Sequence, residues 1–212
     1  MPGRDGKTAM KRSGKEKKRW PVILLSLAVA VILYILISLW ISANYLVVRS
    51  FETEPGSGGE IRAVVISDLH DHTFGDGNWK APDLILMDGD MLNAASADAH
   101  VPLKLIRQLK DTAPIYYALG NHELEYMAAG HPELEEELEA AGAIVLDKEY
   151  TDIEINGIQI RLGGMYDYAF GLNGNNDALA APEDTLTFLQ DFQDTDRTKI
   201  MLAHRPDSFI FG

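Results

Sequence analysis

No Lys, Arg, Asp or Glu occurs between Arg19 and Arg49, and within that stretch Pro21–Ser42 reads PVILLSLAVAVILYILISLWIS. A chain crosses hydrocarbon only if its backbone N–H and C=O groups pair within the segment, so such a run has one solution, a helix. Its 22 residues make a helix of about 33 Å, enough for a bilayer core. A cleaved signal would have an apolar region of about 7–15 residues and a small-x-small cleavage site. This run is longer, and Ser42-Ala43-Asn44-Tyr45 is a poor site. Trp20, Trp40 and Tyr45 stand where interfacial aromatics belong. The expected organisation is a basic tail at 1–20, a transmembrane anchor at 21–43, a connecting segment at 44–60 and a folded body at 61–212.

Charge sets the orientation. Residues 1–20 carry eight basic and two acidic side chains, a balance of +6, while the other 192 residues carry −19. The positive-inside rule places the tail in the cytoplasm and the body outside it, a single-pass membrane protein. The tail also suits anionic lipid. So acidic a body is not built to bind nucleic acid, which needs a basic surface. The chain has no cysteine, which excludes disulfides, Cys-ligated zinc and a thiol nucleophile.

Residues 52–60 (ETEPGSGGE) read as a turn or linker. Ile61–Ile66, Asp83–Met87, Pro114–Leu119, Ala143–Leu146 and Lys199–Ala203 are short apolar runs without polar alternation. This pattern predicts strands covered on both faces. Helical periodicity spans 101–110, 132–141 and 182–193, each with a proline in its first turn. Asn156-Gly157 between two alternating Ile-x-Ile segments predicts a two-residue hairpin. The whole is a layered α/β domain.

Polar groups follow the strands. Ser67-Asp68-Leu69-His70, Asp88-Gly89-Asp90, Gly120-Asn121-His122-Glu123 and His204 each come just after an apolar run, where open α/β sheets place their sites. Mixed oxygen and imidazole donors suit Mn, Fe or Zn. A carboxylate such as Asp90 can bridge two ions about 3.5–4 Å apart, the spacing used for in-line attack at phosphorus. Taken singly, an Asp-x-His is a turn or a helix cap more often than a ligand pair, and Asn121-His122 after a glycine is a plausible cap. His100 and His131 fit no such cluster and read as surface residues.

Together, Asp68-Leu69-His70, Gly89-Asp90, Gly120-Asn121-His122-Glu123 and Ala203-His204 resemble, in order, the blocks of the calcineurin-like metallophosphoesterases. The strings ISDLH, DLILMDGD, ALGNHE and MLAHRP look most like the bacterial membrane-associated branch, which includes lipid-nucleotide phosphodiesterases. The resemblance implies a β-sandwich flanked by helices and two divalent metal ions (Mn, Fe or Zn). It implies hydrolysis of a phosphodiester or phosphomonoester by metal-activated water. Asp68, His70 and Asp90 resemble ligands of a first ion, with Asp90 bridging, and Asn121 and His204 resemble ligands of a second. His122 resembles the family's catalytic histidine, which contacts phosphate, and Glu123 the residue that orients it. Arg205 could neutralise a phosphate or pair with an acid. Anchoring makes a lipid or cell-envelope phosphate ester the favoured partner. Asp68-Leu69-His70-Asp71-His72 also resembles the opening of the polymerase-and-histidinol-phosphatase family, but that family's later blocks have no counterpart; His72 is then a substrate contact at most.

Two departures shape the expectation. The family closes its site with a Gly-His-x-His block, and no histidine follows His204 here. The body therefore reads as lacking its C-terminal end. At most one ion is expected to bind firmly. The alternative is an inactive member that serves as a weak metal-binding or partner-binding module. Also, only residues 71–81 separate His70 from Pro82, with two glycines and no helical face, which is short for a parallel crossover. The charge asymmetry makes the first prediction: a periplasm-dependent reporter fused after residue 60 is active, and a cytoplasm-dependent reporter at the same point is silent.

Overall fold

A computed structural model describes residues 19–44, 48–52, 59–73, 81–166 and 182–205. Two compact units result, Met1–Ser50 and Phe51–Gly212. In the first, α1 (Arg19–Asn44) is the helix dictated by the uncharged run. Among the described residues Arg19–Ser42 is the one helix long and apolar enough to cross a membrane, with mean hydropathy 3.0. The basic tail up to residue 18, Tyr45 and linker residues 53–58 lie outside the described residues.

In the second unit, β1 (Ala63–Ile66), β2 (Leu84–Asp88), β3 (Ile115–Ala118) and β4 (Ala143–Val145) form a parallel sheet in sequential order. Between them run α2 (His100–Leu109), α3 (Asn121–Ala128) and α4 (Leu134–Ala141). A mixed sheet follows: β5 (Glu149–Ile155) pairs antiparallel with β6 (Ile158–Met165) across the Asn156-Gly157 turn. Then α5 (Glu183–Gln193) precedes β7 (Thr198–Ala203), parallel to β6.

The alternation of β2 shows why its run had to be continuously apolar. Ile85 and Met87 face the core made with Ile106, Leu134 and Leu138 of the helices. Leu84 and Leu86 face Ile158, Ile160, Leu162 and Leu202 of the second sheet. The outer face of that sheet carries Met165 and Ala203 against Phe188 and Phe192 of α5. The layers are therefore helices, parallel sheet, mixed sheet and helix, the β-sandwich flanked by helices that the motifs imply.

Three sequence readings change. Among the described residues β1 is not covered on both faces: it lies at the edge of its sheet and Val65 is 63% exposed. The short segment after His70 does not prevent crossover, since Ala63 pairs with Leu84 in parallel; residues 74–80 of that segment lie outside the described residues. α3 is a full helix where the sequence offered only a possible cap. Its Gly120-x-x-Glu123 start has capping-box spacing, a signal that could have found it.

A buried arginine joins the second sheet to α5. Arg161 lies opposite Asp152 in the β5–β6 register and bonds both its carboxylate oxygens, at 2.8 and 2.9 Å. Its Nη1 donates at 2.8 Å to the Asp191 carbonyl in the last turn of α5, which also accepts the Asp194 N–H at 3.3 Å. Its guanidinium carbon sits 4.1 Å from the Tyr150 ring centre. The hydrogen bonds from Arg161 hold the Asp152 carboxyl below its ordinary value of 3.8. A depressed acid contributes stability that is full above pH 3.8 and lost as pH falls through the lower folded value. Asp152→Asn should therefore flatten the fall of the urea midpoint below pH 3.8, while lowering that midpoint at neutral pH.

Candidate metal centre

Parallel strands end at one edge, so the segments after β1, β2 and β3 are brought together there. Backbone bonds lock the first two: Asp68 N–H to Gly89 O at 3.1 Å, His70 N–H to Asp90 O at 3.0 Å and Asp71 N–H to Met91 O at 3.1 Å. Asp68, His70, Asp71 and Asp90 all have positive φ, between 47° and 62°. Left-handed backbone is disfavoured for residues other than glycine, by roughly 1–2 kcal/mol each. It persists where surrounding bonds over-determine it, commonly at functional sites.

Asp90 is at the centre. Its Oδ2 lies 3.3 Å from His204 Nε2, 3.7 Å from His122 Nε2 and 4.0 Å from His70 Nε2. Its Oδ1 accepts the His122 main-chain N–H at 3.0 Å. Asp68 Oδ1 is 3.9 Å from His70 Nε2. The donors fall into two triads, Asp68/Asp90/His204 and His70/Asp90/His122, each with its ligand atoms within 4.8 Å of one another. Two donors bound to one ion at about 2.0–2.2 Å stand roughly 3–4 Å apart, so these separations fit coordination better than direct hydrogen bonding. The donors present thus fit divalent ions.

Asp68, His70, Asp90 and His204 are thus brought to one point, and the His70 and His122 rings meet edge to face at 4.8 Å. Asn121 opens α3 and is half-buried, beside the triads in sequence. His72 is exposed and belongs to neither triad. His131 stacks on Tyr126 at 4.0 Å and is half-buried rather than a bare surface residue.

Ring hydrogen bonds separate two of the histidines. His204 Nδ1 is 2.8 Å from the Asp88 carbonyl, an acceptor, so Nδ1 holds a proton and Nε2 is the nitrogen turned towards Asp90. Burial pushes the His204 pKa down. The Asp88 carbonyl and the Asp90, Asp68 and Asp88 carboxylates outweigh it, and the pKa rises. Asp88 is the opposite case: burial raises its carboxyl, His204 partly offsets this, and Asp68 adds to it.

Two glycines allow the close approach. A Cβ on Gly89, at φ 73°, would lie 2.7 Å from Gly120 Cα and 2.8 Å from the His204 ring. A Cβ on Gly120 would collide with the Asp90 carboxylate and lie 2.9 Å from Glu123 Oε2.

Glu123 does not orient His122 through a direct bond. Its fully buried carboxylate accepts from Asp90 N–H, Met91 N–H, Gly120 N–H and the Tyr117 hydroxyl, each at 2.8 Å. It ties the turn after β2 to the turn after β3. Tyr117 is a residue the motif reading missed; a tyrosine inside an otherwise apolar strand was its signal. Burial, then the Glu123 charge, pushes its hydroxyl well above the ordinary value, so it stays a donor.

With this geometry in place, the comparisons are specific. Residues 61–210 match the calcineurin-like phosphoesterase family, and the chain belongs to that family. It is 31% identical over 134 residues to a putative metallophosphoesterase, F40B5.2, of Caenorhabditis elegans, an alignment covering 62% of this chain and 26% of the relative. The chain thus spans about a quarter of that relative's length. A crystal structure of a protein of unknown function, AQ665 from Aquifex aeolicus, aligns with 15% identity and a TM-score of 0.34, covering 62% of this chain and 72% of the other.

Glu123→Gln keeps the shape but replaces one acceptor oxygen by an NH₂ group facing donors. Bonds to a buried charge are worth roughly 1.5–3 kcal/mol each, so the substitution should destabilise by about 3 kcal/mol in urea unfolding. It should also weaken Mn²⁺ binding, although no Glu123 oxygen belongs to either triad.

Proposed function

We propose that the 61–212 domain hydrolyses a phosphate ester with two divalent ions held on either side of Asp90. The observation that carries this is the buried Asp90 carboxylate, whose Oδ2 has His204 Nε2 at 3.3 Å and His70 Nε2 at 4.0 Å, with Asp68 beside them. Family membership supports metal-dependent phosphoester hydrolysis as the reaction class. When bound, such ions neutralise phosphoryl oxygens and make water nucleophilic near neutral pH. The chain's own groups have distinct tasks. In the reading their motifs imply, Asp68 and His70 hold one side, Asn121 and His204 the other, and Asp90 spans both. His122 presents Nε2 at the mouth of the site, towards a phosphoryl oxygen.

The domain is proposed to work outside the cytoplasm on the anchor at 21–43, within the bacterial membrane-associated branch. Substrates presented at a membrane, as lipid or envelope phosphate esters, then meet the site without diffusing from bulk. The apolar α1 and the +6 balance of residues 1–20 support this placement.

The test is metal titration of the full chain in detergent, followed by hydrolysis of bis(p-nitrophenyl) phosphate. The expected result is Mn²⁺-dependent turnover, with a second ion bound more weakly than the first. Asp90→Asn should weaken both ions by at least about 10–100-fold, because a ligand's loss exceeds that of the partners behind it. His122→Ala should spare metal content and slow turnover by roughly 10²–10³-fold, the effect of removing one donor to developing charge. Metal bound without any turnover would favour a metal-binding module instead. Equal metal loss in both variants would contradict the separate roles.

A further inference from the structure

His122 Nδ1 accepts the main-chain N–H of Ala94 at 2.9 Å. A peptide N–H is only ever a donor, so Nδ1 must present its lone pair and the proton sits on Nε2. An imidazolium would set two donors face to face at that distance. The hydrogen bond therefore selects the tautomer whose N–H is on Nε2, the nitrogen 3.7 Å from Asp90 Oδ2. The Nε2 that carries that proton has no lone pair for an ion, so His122 stands near the second triad as a donor. This is the reverse of His204, whose Nδ1 gives its proton to a carbonyl.

The Ala94 N–H stays in place only if its turn does. Residues 93–96 are short, irregular and border an open cleft of about 570 Å³ that His122 also lines. One carboxylate oxygen gathers this turn. Asp71 Oδ2 accepts from Asn93 N–H at 3.0 Å, from Asn93 Nδ2 at 2.9 Å and from the Ser96 hydroxyl. Asn93 Nδ2 also donates to the His70 carbonyl at 3.0 Å, and Ser96 N–H closes the turn on Asn93 O at 3.0 Å. Asp71 adopts φ 62° and gives its own N–H to Met91 O at 3.1 Å. Its strained backbone thus aims the carboxylate at the turn and away from the metal donors.

We propose that Asp71 is a positioning residue: by gathering the 93–96 turn it holds the Ala94 N–H on His122 Nδ1 and so fixes His122 as the neutral Nε2–H tautomer that donates to the substrate phosphoryl group. The role in turnover rests on the phosphoesterase reading above; the tautomer does not.

The experiment is ¹⁵N-histidine NMR of the full chain in detergent without metal, with His122 assigned by its loss in His122→Gln. Hydrolysis of bis(p-nitrophenyl) phosphate with Mn²⁺ runs in parallel. In the unsubstituted chain His122 should show an unprotonated Nδ1 and a protonated Nε2. Asp71→Ala should give a mixture of tautomers and lower kcat by roughly 10–100-fold, the effect of losing a partner behind a site residue, with KM and Mn²⁺ stoichiometry little changed. Asp71→Asn, which keeps an acceptor oxygen, should recover most of both. Should Asp71→Ala fail to fold, Ser96→Ala removes one donor from the gathering oxygen and should shift the tautomer in the same direction to a smaller degree. An unchanged His122 tautomer in folded Asp71→Ala, or in Ser96→Ala where Asp71→Ala does not fold, overturns the proposal. So does an Nδ1-protonated ring in the unsubstituted chain. A shifted tautomer in a chain that never hydrolyses the diester would keep the positioning role and remove the phosphoesterase reading.

Discussion

The site depends on a buried negative charge that belongs to neither candidate metal-binding triad. Glu123 lies in the first turn of α3 and is wholly out of water. An unpaired carboxylate there would be strongly destabilising. Four donors surround it, three of them main-chain N–H groups of the turns after β2 and β3 and one the Tyr117 hydroxyl. Those peptide groups have left their strands and would otherwise be orphaned. One side chain therefore satisfies two turns at once and makes the position of Asp90 a consequence of where α3 begins.

That anchoring is what permits strain. Asp68, His70 and Asp90, three of the donors, occupy the left-handed region. Each would relax in a free loop. Here the backbone bonds from 68, 70 and 71 onto 89, 90 and 91 extend the pairing of β1 with β2 past the end of the sheet. Successive residues with positive φ turn side chains that would alternate across a strand towards one point. The same bonds separate two neighbours in sequence: His70 points to the metal donors, and Asp71 to the turn that supports His122.

Much of the fold was readable because apolar runs and turn residues act locally. Asn156-Gly157 makes its hairpin, and the helices at 101–110, 132–141 and 182–193 appear within a few residues of their expected ends. The exposure of β1 was not readable, because AVVI is equally suited to a central strand and only the neighbours decide. α3 was obscured for another reason: Asn121–Ala128 has a weak apolar face, and its start is stabilised by Glu123 bonds to a distant turn. In the site, donor residues were legible as chemical types. His204 is remote in the chain from Asp68, and their meeting at Asp90 is a product of sheet packing.

The sequence by itself determined the membrane-length helix, the layered α/β class, and the oxygen and imidazole chemistry at the ends of the strands. All three follow from hydrophobic pattern and side-chain type, which act over a few residues. Only the tertiary structure decided which imidazole faces which carboxylate, which ring nitrogen carries a proton, and that Glu123 and Asp71 brace the site. Those outcomes depend on main-chain donors and acceptors such as Ala94 N–H and Asp88 O. Every residue type carries such groups, so they leave no mark in a sequence. Their direction is set only when turns from different strands pack against one another.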